Sequence, residues 1–244
     1  MKKVNKLNFF RSPNFDERFE KINMIVIHYT GMNSFDEAKD HLCNKNSKVS
    51  AHYLIDEIGK IYQLVDDIHR AWHAGVSIWK NKKDINSCSI GIELVNPGHE
   101  FGYKSFEEKQ MFSIEHLLEE LIFHYDIPLS NVVGHSDVAP LRKLDPGELF
   151  DWKRLAAKKL AVWPQTFKKN PFELISFGDK GEHVTYVQLA LKFIGYGIEV
   201  DGFFGKYTEA VIKAFQRRFR QSRIDGFFDD ETGLLLAGLK NLNI

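Results

Sequence analysis

Residues 131–146 read Asn-Val-Val-Gly-His-Ser-Asp-Val-Ala-Pro-Leu-Arg-Lys-Leu-Asp-Pro. Residues 131–134 read as the end of a short apolar strand, and Pro140 and Pro146 bracket a tight loop. His135, Lys143 and Asp145 lie between these signals. A second loop-edge histidine, His28, follows the apolar run Met24-Ile-Val-Ile. Two imidazoles and one carboxylate carried by strand ends and a loop would supply three ligands and leave a fourth position for water. That is the arrangement of a hydrolytic zinc site. On pattern alone a pair of ordinary, satisfied histidines stays open, because no His-x-x-x-His helix spacing decides the matter.

The rest of the chain frames this stretch. With 244 residues it can bury a sizeable core and form two domains. Lys plus Arg and Asp plus Glu number 33 each, a balance that argues against a dedicated nucleic-acid partner. Cys43 and Cys88 stand 45 residues apart, so two reduced thiols are expected rather than a disulfide framework. No stretch approaches the roughly 18 apolar residues needed for a transmembrane segment. No signal core follows the opening Met-Lys-Lys, and the expectation is a cytoplasmic protein. A periplasmic or envelope-associated place stays open if a leader is missing or export is non-standard. Oligomeric state is not legible.

Residues 1–20 read as a basic, aromatic N-terminal arm that pads the first domain. Strands are expected at 23–29, 49–55, 60–64 and 89–94, with Gly59 turning the middle pair into a hairpin. Ser34-x-x-Glu37 predicts a capped helix to Leu42. A long amphipathic helix is predicted over 105–125 and another over 151–163. Residues 70–75 are irregular and read as a loop. Two prolines and no period mark 164–176 as a linker. Beyond it, Asp201-Gly-Phe-Phe-Gly and Asp225-Gly-Phe-Phe-Asp form a repeat 24 residues apart. A three-helix bundle over 181–195, 206–219 and 230–239 follows, with most of its phenylalanines in core or turns.

Several stretches carry a resemblance. They are Ile25-Val-Ile-His-Tyr, Val49-Ser-Ala-His-Tyr, Arg70-Ala-Trp-His-Ala-Gly, Ser89-Ile-Gly-Ile-Glu-Leu and Gly134-His-x-Asp-x-Ala-Pro-x-Arg-Lys-x-Asp-Pro-Gly. Over residues 21–163 the chain resembles the zinc-dependent N-acetylmuramoyl-L-alanine amidases, in the AmpD/AmiD branch of the amidase type 2 family. The resemblance implies an α/β fold, a mixed central sheet flanked by helices. It also implies Zn2+ held by His28, His135 and Asp145, water activation by Glu93, and oxyanion stabilisation by Lys143. Ile92 and Leu94 point away from Glu93 by strand alternation, so the sequence shows no apolar lining for that carboxylate.

Weaker assignments surround these. Tyr29, His52, Trp72, His73 and Arg142 are candidates for binding sugar or stem peptide, Arg142 through a bidentate carboxylate contact. Asp137 is a candidate partner for the His135 ring. His41, His99, His116, His124 and His183 read as ordinary polar groups. The pattern Phe177-Gly-Asp-Lys-Gly-Glu-His-Val with Asp201-Gly-x-Phe-Gly resembles the peptidoglycan-binding domain type 1, which implies that residues 177–244 hold the chain on its polymer. The resemblance implies cleavage of the muramoyl–L-alanine amide in muropeptides and peptidoglycan, with 1,6-anhydro or ordinary sugar. A strictly cytoplasmic recycling amidase, a non-catalytic recognition protein and a general metalloprotease are the competing readings.

Overall fold

The computed structural model describes residues 8–165, 173–240 and 242; residues 1–7 of the arm and much of the expected linker lie outside these. A six-stranded sheet runs in the order β1 (Asn8–Phe9), β5 (Ile61–Gln63), β4 (Tyr53–Ile55), β7 (Ser89–Leu94), β3 (Met24–Tyr29) and β8 (Val132–Gly134). Strands β4, β7, β3 and β8 are parallel neighbours, whereas β4 and β5 form the expected antiparallel hairpin. Gly59 takes φ 81 in its turn, and an added Cβ would lie 2.4 Å from the Lys109 carbonyl oxygen. Only glycine meets both demands.

The arm does more than cover the sheet. Its β1 adds an edge strand beside β5, and β2 (Phe15–Glu17) pairs antiparallel with β6 (His69–Ala71). Residues 70 and 71, expected in a loop, therefore belong to a strand whose partner comes from the arm. Arg18 fastens the arm by donating to the carbonyls of Asp67, His69, Asn86, Ser87 and Ser89.

Strand alternation divides the core. Ile25 and Ile27 of β3 and Ile90, Ile92 and Leu94 of β7 pack with α4 (Glu108–Tyr125), Phe150 and Trp152. Met24 and Val26 face the other way and join a cluster with Val133, Trp79, Val184, Tyr196 and Phe215. The C-terminal helices thus share one apolar core with the back of the sheet. A period of two then places His28 on that same side, and Glu93 beside it.

The remaining helices are α1 (Phe35–Leu42), α2 (Ile85–Cys88), α3 (Gly98–Phe101), α5 (His135–Val138), α6 (Trp152–Ala157), α7 (Glu182–Ile194), α8 (Lys206–Phe219) and α9 (Asp230–Lys240). Ser34 caps α1 as expected, accepting from the Glu37 amide at 3.2 Å. Helix α4 starts at Glu108 rather than 105, because Glu107 and Gln110 form the capping box there. Helix α6 stops at Ala157 rather than 163, where the chain turns through Lys159 at φ 58. Cys43 and Cys88 are free thiols. No described helix is long and apolar enough to cross a membrane.

The repeat is a duplicated hydrogen-bond device. Gln188 Nε2 donates to Asp201 Oδ1, the Phe203 carbonyl and Thr208 Oγ1, while its Oε1 accepts from the Gly202 amide. Gln216 makes the same set with Asp225, Phe227, Thr232 and Gly226. Each glutamine ties an Asp-Gly-Phe turn to the helix before it. Phe204, Phe215 and Phe228 fill the core as expected, but Phe203 and Phe227 are exposed because the pinned turns point their rings outward. Ile175 is buried and bridges to Phe228, so the helical unit begins inside the expected linker.

Replacing Gln188 with Leu strands the backbone amides of Asp201 and Gly202. We expect a loss of about 2–4 kcal/mol in denaturant unfolding; a loss below about 1 kcal/mol would show the network to be dispensable.

Candidate metal centre

Three chain segments converge at the C-terminal end of the sheet. The parallel register of β3 and β7 sets His28 directly beside Glu93. Strand β8, on the other side of β3, delivers His135 as the first residue of α5. The loop after α5 folds back, so that the Ser136 amide donates to the Asp145 carbonyl at 2.9 Å. Asp145 thereby faces both histidines. His28 Nδ1, His135 Nδ1 and Asp145 Oδ2 form a triangle with all three sides 2.9 Å. All three side chains are buried.

The far side of each ring fixes which nitrogen carries its proton. His135 Nε2 lies 3.0 Å from the Ala74 carbonyl oxygen, which can only accept. The proton of a neutral His135 is therefore on Nε2, leaving a lone pair on Nδ1. Ser89 spends its hydroxyl hydrogen on the Ile85 carbonyl at 2.6 Å, so it accepts from His73 Nε2 at 3.1 Å. His73 Nδ1 then accepts from His28 Nε2 at 3.1 Å, and His28 Nδ1 also carries a lone pair.

Two lone pairs and a carboxylate oxygen thus meet with no proton among them. Such a contact is repulsive unless a cation fills it. Among the described residues this is the cluster with the donor set of a divalent-metal site, and two nitrogens with one oxygen suit zinc. Burial, reinforced by His135, pushes the His28 pKa down to about 4, so its lone pair persists well below neutrality. Burial works against ionisation of Asp145, but a positive charge on the facing His135 and His28 nitrogens outweighs it and holds the carboxylate well below its usual range.

The ligands line one wall of a cleft of about 360 Å³ that also contains Tyr29, Trp72, Glu93, His99, Arg142 and Lys143. Glu93 Oε2 is buried and lacks a hydrogen-bond partner among the described residues. Burial first, then Asp145, raises the Glu93 pKa well above the usual carboxylate range, while Lys143 opposes the shift. The burial that strand alternation could not supply comes from the fold around the cleft.

Other expected residues are placed differently. His52 does not reach the cleft. It is fully buried, its Nδ1 accepting from the Gly91 amide and its Nε2 facing the His69 carbonyl, because residue 52 precedes the central strand β4. His73 borders the cleft, but both ring nitrogens serve His28 and Ser89, so its geometry is that of a support for the metal ligand rather than a substrate contact. Gly91 makes room for it: a Cβ there would sit 2.4 Å from the His73 ring.

Asp137 does not bond the His135 ring, which already has Ala74. The turn of α5 sends Asp137 the other way, to the Gly134 amide and the C-terminal helical unit. Trp72 and Arg142 do line the cleft. Asp16 of the arm holds Trp72 Nε1 at 2.7 Å, and the Ala74 and Val76 carbonyls hold Arg142 Nη2, each at 2.8 Å. His99, read from sequence as an ordinary polar group, accepts a place in the rim. It lies 2.9 Å from the Tyr29 hydroxyl and 3.1 Å from Glu148, stacked on Tyr103. Its position after Asn96-Pro-Gly, at the end of β7, was the signal available.

Comparison with known proteins agrees with this geometry. Residues 18–148 match the family model described as N-acetylmuramoyl-L-alanine amidase, and residues 180–234 match a peptidoglycan binding domain. The chain is 34% identical to the N-acetylmuramoyl-L-alanine amidase AmiD of Escherichia coli, over 91% of this chain and 83% of that one. A solved AmiD complex with anhydro-N-acetylmuramic acid-L-Ala-D-gamma-Glu-L-Lys superposes with TM-score 0.79 at 32% identity, covering 92% and 90% of the two chains. AmpDh3 from Pseudomonas aeruginosa superposes with TM-score 0.78 at 28% identity, covering 91% and 92%.

If His73 fixes the His28 tautomer, His73→Leu lowers divalent-metal affinity by about 10–100-fold, whereas His73→Gln, which can accept and donate, retains more. Equal affinity in chelator competition would remove His73 from the site. Because burial lowers the His28 pKa to about 4, protonation of His28 should not weaken metal binding at about pH 5.5, and affinity measured by chelator competition should begin to fall only below about pH 4.

Proposed function

Since this chain belongs to the N-acetylmuramoyl-L-alanine amidase family, we propose that its metal is Zn2+ and its substrates are muropeptides and intact peptidoglycan. The bond cleaved joins the lactyl carboxyl of N-acetylmuramic acid to L-alanine. The observation that carries this reading is the buried triangle of three electron-pair donors with no proton between them. Zinc bound there would supply Lewis acidity and lower the pKa of water toward neutrality.

The chain's own groups do the rest. Glu93, next to His28 across β3 and β7, takes the proton of the attacking water and returns it to the leaving L-alanine nitrogen. A carboxylate raised by burial holds a proton more readily than an exposed one, which suits it to both tasks. Lys143, close enough to act electrostatically on Glu93 and His28, faces the oxygen on which charge develops as the amide becomes tetrahedral. Arg142 has nitrogens free of the Ala74 and Val76 carbonyls to meet a stem-peptide carboxylate. Trp72 and Tyr29 supply flat surface for the sugar or peptide.

The substrate range follows from the second unit. The match to AmiD runs through the C-terminal helices, and a peptidoglycan-binding unit raises the local concentration of cleavable bonds on a polymer. This favours action on both sacculi and 1,6-anhydro fragments. A recognition protein without catalysis is disfavoured by the intact ligand set.

Digestion of purified sacculi and of a 1,6-anhydromuramoyl tripeptide, with and without chelator, tests the reading. Chelator-sensitive release from both is expected. Release from the anhydro compound alone would narrow the enzyme to fragment recycling, and release from neither would overturn catalysis.

Lys143→Ala should keep its zinc and lose about 10²–10³-fold in kcat. Removing the cation also removes the influence that lowers the Glu93 pKa. The acid limb of kcat/KM should therefore move to higher pH in that variant. An unmoved limb with unchanged kcat would place Lys143 outside the reaction.

A further inference from the structure

Helix α8 turns two adjacent arginines, Arg217 and Arg218, toward the catalytic segment, and both are buried. Arg218 Nη1 lies 2.8 Å from Asp137 Oδ2, and its Nη2 donates to the Val132 carbonyl at 2.9 Å. Its guanidinium carbon sits 4.3 Å from the centre of the Trp152 ring. From the end of α7, the Tyr196 hydroxyl donates to Asp137 Oδ1 at 2.8 Å. Asp137 Oδ2 also accepts from the Gly134 amide at 2.8 Å. The helical unit therefore grips both ends of the short segment that presents His135: the carbonyl at 132 and the carboxylate at 137.

The same unit holds the group opposite the His135 ring. Trp79 packs on Tyr196 with ring centres 5.1 Å apart, and the Lys80 amide donates to the Gly195 carbonyl at 2.7 Å. Gly195 fits this contact because a Cβ would lie 2.6 Å from the Trp79 ring. The loop so anchored runs back to Ala74, whose carbonyl accepts from His135 Nε2. A polymer-binding domain acting only as a tether needs none of these contacts. Tethers join through small, polar interfaces, whereas here one apolar core spans both units.

We propose that the C-terminal unit is a positioning element of the metal centre. Arg218 and Tyr196 act through Asp137 to hold His135 Nδ1 on the donor triangle, and Tyr196 with Gly195 fixes the loop that orients the ring. This rests on the metal reading above, and it gives the helical unit a role in hydrolysis independent of any polymer.

The test uses the full chain with Tyr196→Phe, which keeps the ring and removes one hydrogen bond, and Arg218→Met, which keeps most of the stem and removes the charge. Three quantities are read: zinc affinity by chelator competition, amide exchange of residues 134–139 without metal, and melting temperature without metal. Positioning predicts about tenfold weaker zinc binding for Tyr196→Phe, more for Arg218→Met, with faster exchange at 134–139 in both. It also predicts lower kcat on a soluble anhydromuramoyl tripeptide. Lower melting temperatures with native zinc affinity and native exchange at 134–139 would overturn the proposal and leave simple packing. If Arg218→Met does not fold, Tyr196→Phe decides alone. A native chain that failed to bind zinc would instead sink the metal reading, and the metal-free exchange would still decide whether the helical unit orders the His135 turn.

Discussion

The repulsion among three buried electron-pair donors organises this protein. His28, His135 and Asp145 would drift apart or take up a proton if left to themselves. They are kept together because each is committed elsewhere. His28 is tied through His73 and Ser89 to the Ile85 carbonyl, and His135 to the Ala74 carbonyl. Asp145 is held by a loop whose backbone oxygen accepts from Ser136. Those commitments draw on β3, β7, β8, α2 and two loops, so the fold is in large part the support of one site. A site built this way is preorganised, and binding the cation costs little rearrangement.

The parallel sheet is what makes the support stiff. Three adjacent parallel strands, β7, β3 and β8, end at one edge, and their registers place Glu93 and His28 side by side with His135 one strand over. Ligand sites at the carboxyl ends of parallel strands are a general consequence of such sheets. The small residues on the site face of β7 serve the same end: Gly91 admits the His73 ring and Ser89 accepts from it. On the opposite face of the same strand, Ile90, Ile92 and Leu94 do nothing but pack.

The two segments matched by separate family models are physically one body. The buried Arg218–Asp137 pair and the Trp79–Tyr196 contact join them through apolar and charged groups together. Breaking a buried pair on one side only strands its partner, so neither segment is free to change at this seam alone.

Much was legible in the residues themselves. Apolar runs of period two marked β3 and β7, the Asp-Gly-Phe-Phe repeat marked the paired turns, and the ligand histidines stood at strand ends where a packed core meets a loop. Local chemistry sufficed for these, because strand alternation, capping and turn formation act over a few residues. The tertiary structure alone decided the rest. It buried His52 beside His73 and set His73 behind His28, brought His99 to the rim, and turned Asp137 from the neighbouring ring to a helix 81 residues away. It also turned residues 69–71 into a strand, since their partner lies in the arm. A hydrogen bond is satisfied by whichever group arrives in space, and nothing in the spacing of His135 and Asp137 could say that Ala74, Tyr196 and Arg218 would arrive first.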